Sequence, residues 1–203
     1  MAMSTEGLAP GLQLPGGRAR LERLTVDHTQ GLLEAVDDPL LWRYMPAATP
    51  TTVDQMRAVT DAALKDPAAY PFAVIDLSSG RPCGSTRYLE INPANRALEI
   101  GWTWYSRRVQ RTSINTECKL LLLGYAFETM GCIRVQLRCD LRNLASQAAI
   151  ERIGGVKEGV FRRHRIMWDG YIRDSVFYSI IDSEWPAVKQ RLQDKLAMHA
   201  PAR

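Results

Sequence analysis

The chain has 203 residues, 46% of them hydrophobic and 24% charged, with a formal net charge of +4. That is enough apolar material for one domain with a real core, and too small a basic excess for a nucleic-acid binder, although it suits a small anionic ligand. Four scattered cysteines without a C-x-x-C pair and three scattered histidines offer no ligand spacing, so no metal site is expected and the thiols read as small buried hydrophobes of a reducing compartment.

Residues 1–17, rich in Gly and Pro, read as a flexible lead-in to a single domain over 18–198. The opening stretch lacks a basic n-region and a long apolar run, so neither a signal peptide nor a membrane span is expected and the location reads as cytoplasmic. A first strand is expected within 18–26. Helical spacing follows over 27–45, interrupted by Asp38-Pro39, and again over 49–66, with Thr52 as N-cap. Strand-like runs occupy 70–77, 81–91 and 97–105, separated by "SSG" and "NPAN" turns. A long helix over about 115–130 leads to a strand at 132–140 and a short helix at 143–154 closed by two glycines. Two strands then pair across the "DG" turn at 169–170, and a last helix follows, with Ser183 as N-cap and Pro186 in its first turn. Strands 97–105 and 132–140, joined by a helix, imply a parallel pair at the centre of a mixed, mostly antiparallel α/β sheet flanked by helices.

The connection "RVQRTSINTE" (108–117) enters the long helix directly from the central strand. Free backbone N–H groups and the positive helix end make such a place suited to an anion. Arg107, Arg108 and Arg111 add cations, Thr112 and Ser113 have short side chains, and Asn115 or Thr116 could cap the helix with Glu117 in its first turn. An ordinary capped helix start with solvated arginines would show the same residues.

The segment resembles the pyrophosphate-binding loop of the GCN5-related N-acetyltransferase (GNAT) superfamily, and more narrowly its RimJ/RimL-like branch. Arg108, Arg111 and Ser113 stand where that loop has its Arg/Gln and two small residues, so both glycines are absent here. The likeness runs on through "LEIGWTWY", "NLASQAAIERIGGVKEGVFR" and "DGYIRDSVFYSIIDSEW", over roughly residues 18–195. It implies a GNAT fold with a splayed parallel strand pair and acetyl-CoA as acyl donor. The pyrophosphate would be cradled by Arg108, Arg111, Thr112, Ser113, Ile114, Asn115 and Thr116, chiefly through backbone amides. Those amides stay usable if the loop keeps negative φ.

Acetyl transfer to an amine needs a base, an oxyanion donor and help for the leaving thiolate. Glu99, an acid inside the apolar strand "LEIGWTWY", is the candidate base; the alternative is a paired structural carboxylate. Simple alternation groups Leu98, Ile100, Trp102 and Trp104 on one face, unless Gly101 marks a bulge. The resemblance further implies that Trp102, Trp104 and Tyr105 meet the pantetheine arm through their backbone. It places Asn143 beside that arm and Ser146 near the sulfur. The family's usual tyrosine acid falls on Ile150, which leaves that role to Ser146 or Tyr178. Trp42, Tyr44 and Tyr178 would line the acceptor pocket. The acceptor is expected to be a protein N-terminal α-amine, with small-molecule amines and a non-catalytic acyl-CoA-binding module as the rival readings. Nucleic acid and membrane are not expected partners, and a homodimer is left open.

Overall fold

The computed structural model describes residues 2–198. Eight strands form one sheet: β1 (Gln13–Pro15), β2 (Ala19–Arg23), β3 (Tyr70–Asp76), β4 (Arg81–Asn92), β5 (Ala97–Tyr105), β6 (Arg134–Asp140), β7 (Val156–Ile166) and β8 (Ile172–Ile181). They lie in the order β1-β2-β3-β4-β5-β6-β8-β7. Each neighbouring pair is antiparallel except β5–β6, the parallel centre that the helix crossover demands. The helices are α1 (Thr29–Ala35), α2 (Val53–Lys65), α3 (Ile114–Gly124), α4 (Leu144–Arg152) and α5 (Trp185–Met198).

Local chemistry explains most boundaries. The Thr52 hydroxyl accepts the Gln55 N–H and starts α2. Asp38 stops the first helical run: its carboxylate accepts the Leu40 N–H at 2.7 Å and opens a separate 3-10 turn, Pro39–Trp42. The long helix is α3 followed by a π-type turn over Tyr125–Thr129. Gly170 takes φ +81 at the β7–β8 hairpin, a conformation that costs glycine little. The final helix starts at Trp185, so Ser183 lies outside its cap position.

The lead-in is ordered rather than loose. β1 pairs with β2, Met3 and Leu14 are buried, and the Tyr70 hydroxyl donates to the Ala9 carbonyl at 2.5 Å. Glu117 reaches this segment from α3. Its carboxylate accepts the N–H groups of Gly17, Arg18 and Ala19 at 2.9, 2.7 and 2.7 Å. The acid expected only to complement a helix end therefore fastens the N-terminal chain to that helix.

Two apolar layers cover the sheet. Leu98, Ile100, Val135, Leu137, Val176 and Ile180 pack beneath α3, α4 and α5, with Leu122, Ile150 and Leu192 as helix contributions. Removing Leu122, which has no exposed surface, by Leu122→Ala would cost about 2–5 kcal/mol. On the opposite face Leu32, Trp42, Met56, Ala73, Ile75 and Trp104 pack under α1 and α2.

The site owes its position to an interrupted pairing. β5 pairs with β6 only from Ala97 to Glu99, against Arg134 to Gln136, and no pairing continues beyond. On its other side β5 carries a bulge, where Trp102 and Thr103 together face Thr86 and Trp102 takes φ +50. The bulge lies just after Gly101 and reverses the alternation: Trp104 joins the α1–α2 layer instead of following Ile100, while Tyr105 packs toward α3. Gly101 serves another purpose, because a Cβ there would lie 2.8 Å from both Glu99 Oε1 and Leu89 Cδ1.

Candidate active site

Glu99 stands where the β5–β6 pairing ends, on the sheet face opposite Leu98 and Ile100. It is 2% exposed. Gln136 Nε2 donates to its Oε2 at 3.0 Å, and Arg138 Nε approaches the same oxygen at 3.0 Å. Burial raises the Glu99 pKa above the usual carboxylate value, and Arg138 and Gln136 only partly offset this. The carboxylate is thus held in one place and made a better proton acceptor. Arg138 and Gln136 are site residues that the sequence reading missed; alternation along "RVQLRCD" places them with Arg134 on one face.

The loop at the far end of β5 is built in two halves. Its first half is tied down: Asp37 accepts the Arg107 and Arg108 N–H groups at 2.8 and 3.3 Å. Arg107 Nε meets Asp38 at 2.7 Å, and Arg108 Nη2 donates to the Pro82 carbonyl at 2.9 Å. The second half is open. Among the described residues, no acceptor meets the N–H groups of Arg111, Thr112, Ser113, Asn115 and Thr116, nor the Arg111 guanidinium. Ser113 occupies the N-cap position without a side-chain cap, in place of Asn115 or Thr116. The Thr112 hydroxyl folds back, donating to the Val109 carbonyl at 2.7 Å and accepting the Ile114 N–H at 3.3 Å. Ile114 is buried in the core, and the Thr116 hydroxyl accepts from Arg152 at 2.9 Å, so both could offer a ligand only backbone.

The expected negative φ is not kept throughout. Arg111 sits at φ +61, where glycine is favoured, so the loop has the shape a glycine would give, made with an arginine. A small anion here would meet convergent N–H donors, a helix N-terminus and one free cation.

Across the gap lies α4. Asn143 caps it, accepting the Ser146 N–H at 3.0 Å, which is the plain structural role. The Ser146 hydroxyl lies against the Cys139 thiol on the α3–α4–α5 face. Ser146 and Glu99 therefore lie on opposite faces of the sheet. Tyr178 does not join Trp42 and Tyr44 in one wall. It is fully buried on the α4 side, where its hydroxyl donates to Glu151 at 3.1 Å, and burial with that bond pushes its pKa up to about 12.

On the Glu99 face, Trp42 packs edge-on to Trp102 at 6.4 Å and tilted against Trp104 at 5.5 Å. Tyr44 lies near Arg142, whose guanidinium covers the Tyr171 ring at 3.4 Å. A cavity of about 350 Å³ opens on this face over β6, β7 and β8, with Gln136, Arg138, His164 and Phe177 in its lining. Behind the bulge, Lys119 is 5% exposed; its Nζ donates to Thr103 Oγ1 at 3.1 Å, and that oxygen lies 2.7 Å from Thr86 Oγ1.

A family model described as "Acetyltransferase (GNAT) domain" matches residues 18–156. Among solved structures, a GCN5-related N-acetyltransferase from Brucella melitensis is 32% identical and superposes with a TM-score of 0.90, over 99% of this chain and 90% of that one. RimL, described as a ribosomal L7/L12 alpha-N-protein acetyltransferase, shares the fold at 20% identity with a TM-score of 0.72, over 88% of this chain and 99% of that one. The "Putative ribosomal N-acetyltransferase YdaF" of Bacillus subtilis is 33% identical over 113 residues, which is 56% of this chain. The chain spans 61% of the length of that relative.

Proposed function

Since the chain belongs to the acetyltransferase (GNAT) family, we propose that it transfers an acetyl group from acetyl-CoA to an amine by direct attack on the thioester. The observation that carries this reading is the single gap flanked by a buried, proton-hungry Glu99 and, at the end of β5, by a loop of free N–H donors. The pyrophosphate meets the free amides of Arg111, Thr112, Ser113 and Asn115 and the Arg111 guanidinium. The pantetheine arm enters where β5 leaves β6, and the backbone of Trp102, Trp104 and Tyr105 bonds it from the edge of β5 that β6 no longer pairs, one N–H serving the carbonyl oxygen as negative charge develops there.

Glu99 takes the amine proton, through a water. The nitrogen lone pair forms the C–N bond, the tetrahedral intermediate collapses, and the C–S bond breaks to release CoA. Ser146 steadies the departing thiolate with a hydrogen bond after turning from Cys139. The thiolate then takes its proton from solvent, since Tyr178, with its hydroxyl committed to Glu151, is a poor source of one. Residues 18–198 act as one catalytic unit in the reducing cytoplasm, and no metal is required because the amine itself is the nucleophile.

The acceptor we infer is a protein N-terminal α-amine. The ribosomal N-acetyltransferase named among the relatives supports this, as does the low intrinsic pKa of such amines, about 8, which eases deprotonation. Thiol release from acetyl-CoA, measured with free and N-blocked peptides and with small amines, tests it. Turnover confined to free N-termini is expected. Turnover with small amines alone would assign the enzyme to them.

A further inference from the structure

Arg173 is a buried cation without a hydrogen-bond partner among the described residues. Along β8, Val176, Tyr178 and Ile180 enter the core under α3 and α5, so Arg173, Ser175 and Phe177 face the Glu99 side. Arg173 is 7% exposed, yet its Nε meets no acceptor and its guanidinium forms no hydrogen bond or ion pair among the described residues. The other buried arginine among the described residues is compensated. Arg87, equally buried and also without an Nε acceptor, lies over the Trp102 ring at 4.1 Å.

The nearby carboxylates are taken. Asp140 gives both oxygens to Arg142, at 3.1 and 2.9 Å, and Glu99 is held by Arg138 and Gln136. Asp140 attracts Arg173 through space without hydrogen-bonding to it, Arg138 and Arg165 add like charge around it, and His164 is held toward its neutral form by burial and by these arginines. By strand alternation Arg173 and Glu99 share one face of the sheet, and the Arg173 charge acts on Glu99 across it. A buried guanidinium with no acceptor of its own is costly to keep unless a ligand supplies one.

We propose that Arg173 is a specificity-determining residue that binds a carboxylate on the acceptor, so that the enzyme selects amines carrying a carboxylate a short distance from the nitrogen. This rests on, and deepens, the acyl-transfer reading above. An extended peptide advances about 3.3 Å per residue, so an acidic side chain at the second or third position lies one or two such steps from the amine along the same face. The α-carboxylate of a free amino acid offers the same chemistry at shorter range.

The test uses the full chain with acetyl-CoA and peptide pairs that differ only by Glu or Gln at position two or three, alongside serine against serinamide. The Glu member should be favoured at least about 10-fold in kcat/KM, chiefly through KM, as expected for a charge-assisted contact. Arg173→Gln should bring that ratio close to one, and Arg173→Lys should retain part of it. Calorimetric titration of the same peptides into CoA-loaded protein reads binding without chemistry. A ratio within twofold in the parent protein for every pair, serine against serinamide included, overturns the proposal even if the Arg173 variants do not fold, and so does an undiminished ratio in Arg173→Gln. Selective binding without acetylated product would sink the acyl-transfer reading and keep this one. Product without selectivity does the reverse. Preference confined to serine over serinamide identifies the source as a free amino acid.

Discussion

Replacing Lys119 by methionine should stabilise the protein at neutral pH. Lys119 is buried within α3, its one hydrogen bond is to Thr103, and no carboxylate pairs with it among the described residues. Burial pushes its pKa from 10.5 down to about 8. That displacement corresponds to about 3 kcal/mol of stability lost while the group stays charged, and removing the hydrogen bond costs about 1 kcal/mol, which leaves a net gain of about 2 kcal/mol for Lys119→Met at pH 7. For a domain of this size the gain amounts to roughly 4–8 °C in Tm. Between pH 8 and 10.5 the unfolded chain binds the proton that the folded chain has lost, so the parent gains stability as pH rises and the difference should close across that window. Thermal melts of both proteins from pH 7 to 10.5 read this directly. A variant that is less stable at pH 7, or a difference independent of pH, would show that Lys119 is a compensated charge and refute the reasoning.

Arg111→Gly should relieve the positive φ and raise stability by about 1 kcal/mol in urea melts, while weakening acetyl-CoA binding in calorimetry through the lost cation. Ser113→Pro removes one free N–H and should weaken the same binding; affinity equal to the parent's would remove the loop from the donor site. Ser146→Ala should slow turnover by roughly 10-fold with little change in acetyl-CoA affinity, whereas Asn143→Ala should first lower stability, by about 1 kcal/mol, through loss of the α4 cap. Equal losses of affinity alone in both would make Ser146 a binding residue.

The order of strands and helices was legible because hydrophobic period, caps and turn residues agree along this chain. The parallel centre follows from one helix between two strands. What escaped the sequence is what depends on pairing between distant residues. The bulge sits after Gly101, and periodicity could not show that Trp104 changes layer. Glu117 looked like a helix-start acid because nothing in its surroundings reveals that the N–H groups at residues 17–19 converge on it. Glu99 was found through the oddity of an acid in an apolar strand, but its holders, Gln136 and Arg138, lie on another strand. Tyr178 was assigned to the acceptor side because a strand's two faces cannot be told apart before the sheet is assembled. Arg173 reads as an ordinary charged residue in a hairpin, and only the fold buries it.

The most direct measurement is the pH dependence of kcat/KM for acetyl-CoA and an N-terminal peptide, compared between the parent and Glu99→Gln. With Glu99 as base, the parent's acid limb should lie above the ordinary carboxylate range, because burial raises its pKa. The variant should lose about 10²-fold in kcat with acetyl-CoA affinity kept, its acid limb should flatten, and at pH 7 it should melt higher than the parent, since a buried ionised carboxylate has gone. A variant that turns over at nearly the parent's rate, with the same acid limb, would contradict the central claim and return Glu99 to a purely structural role.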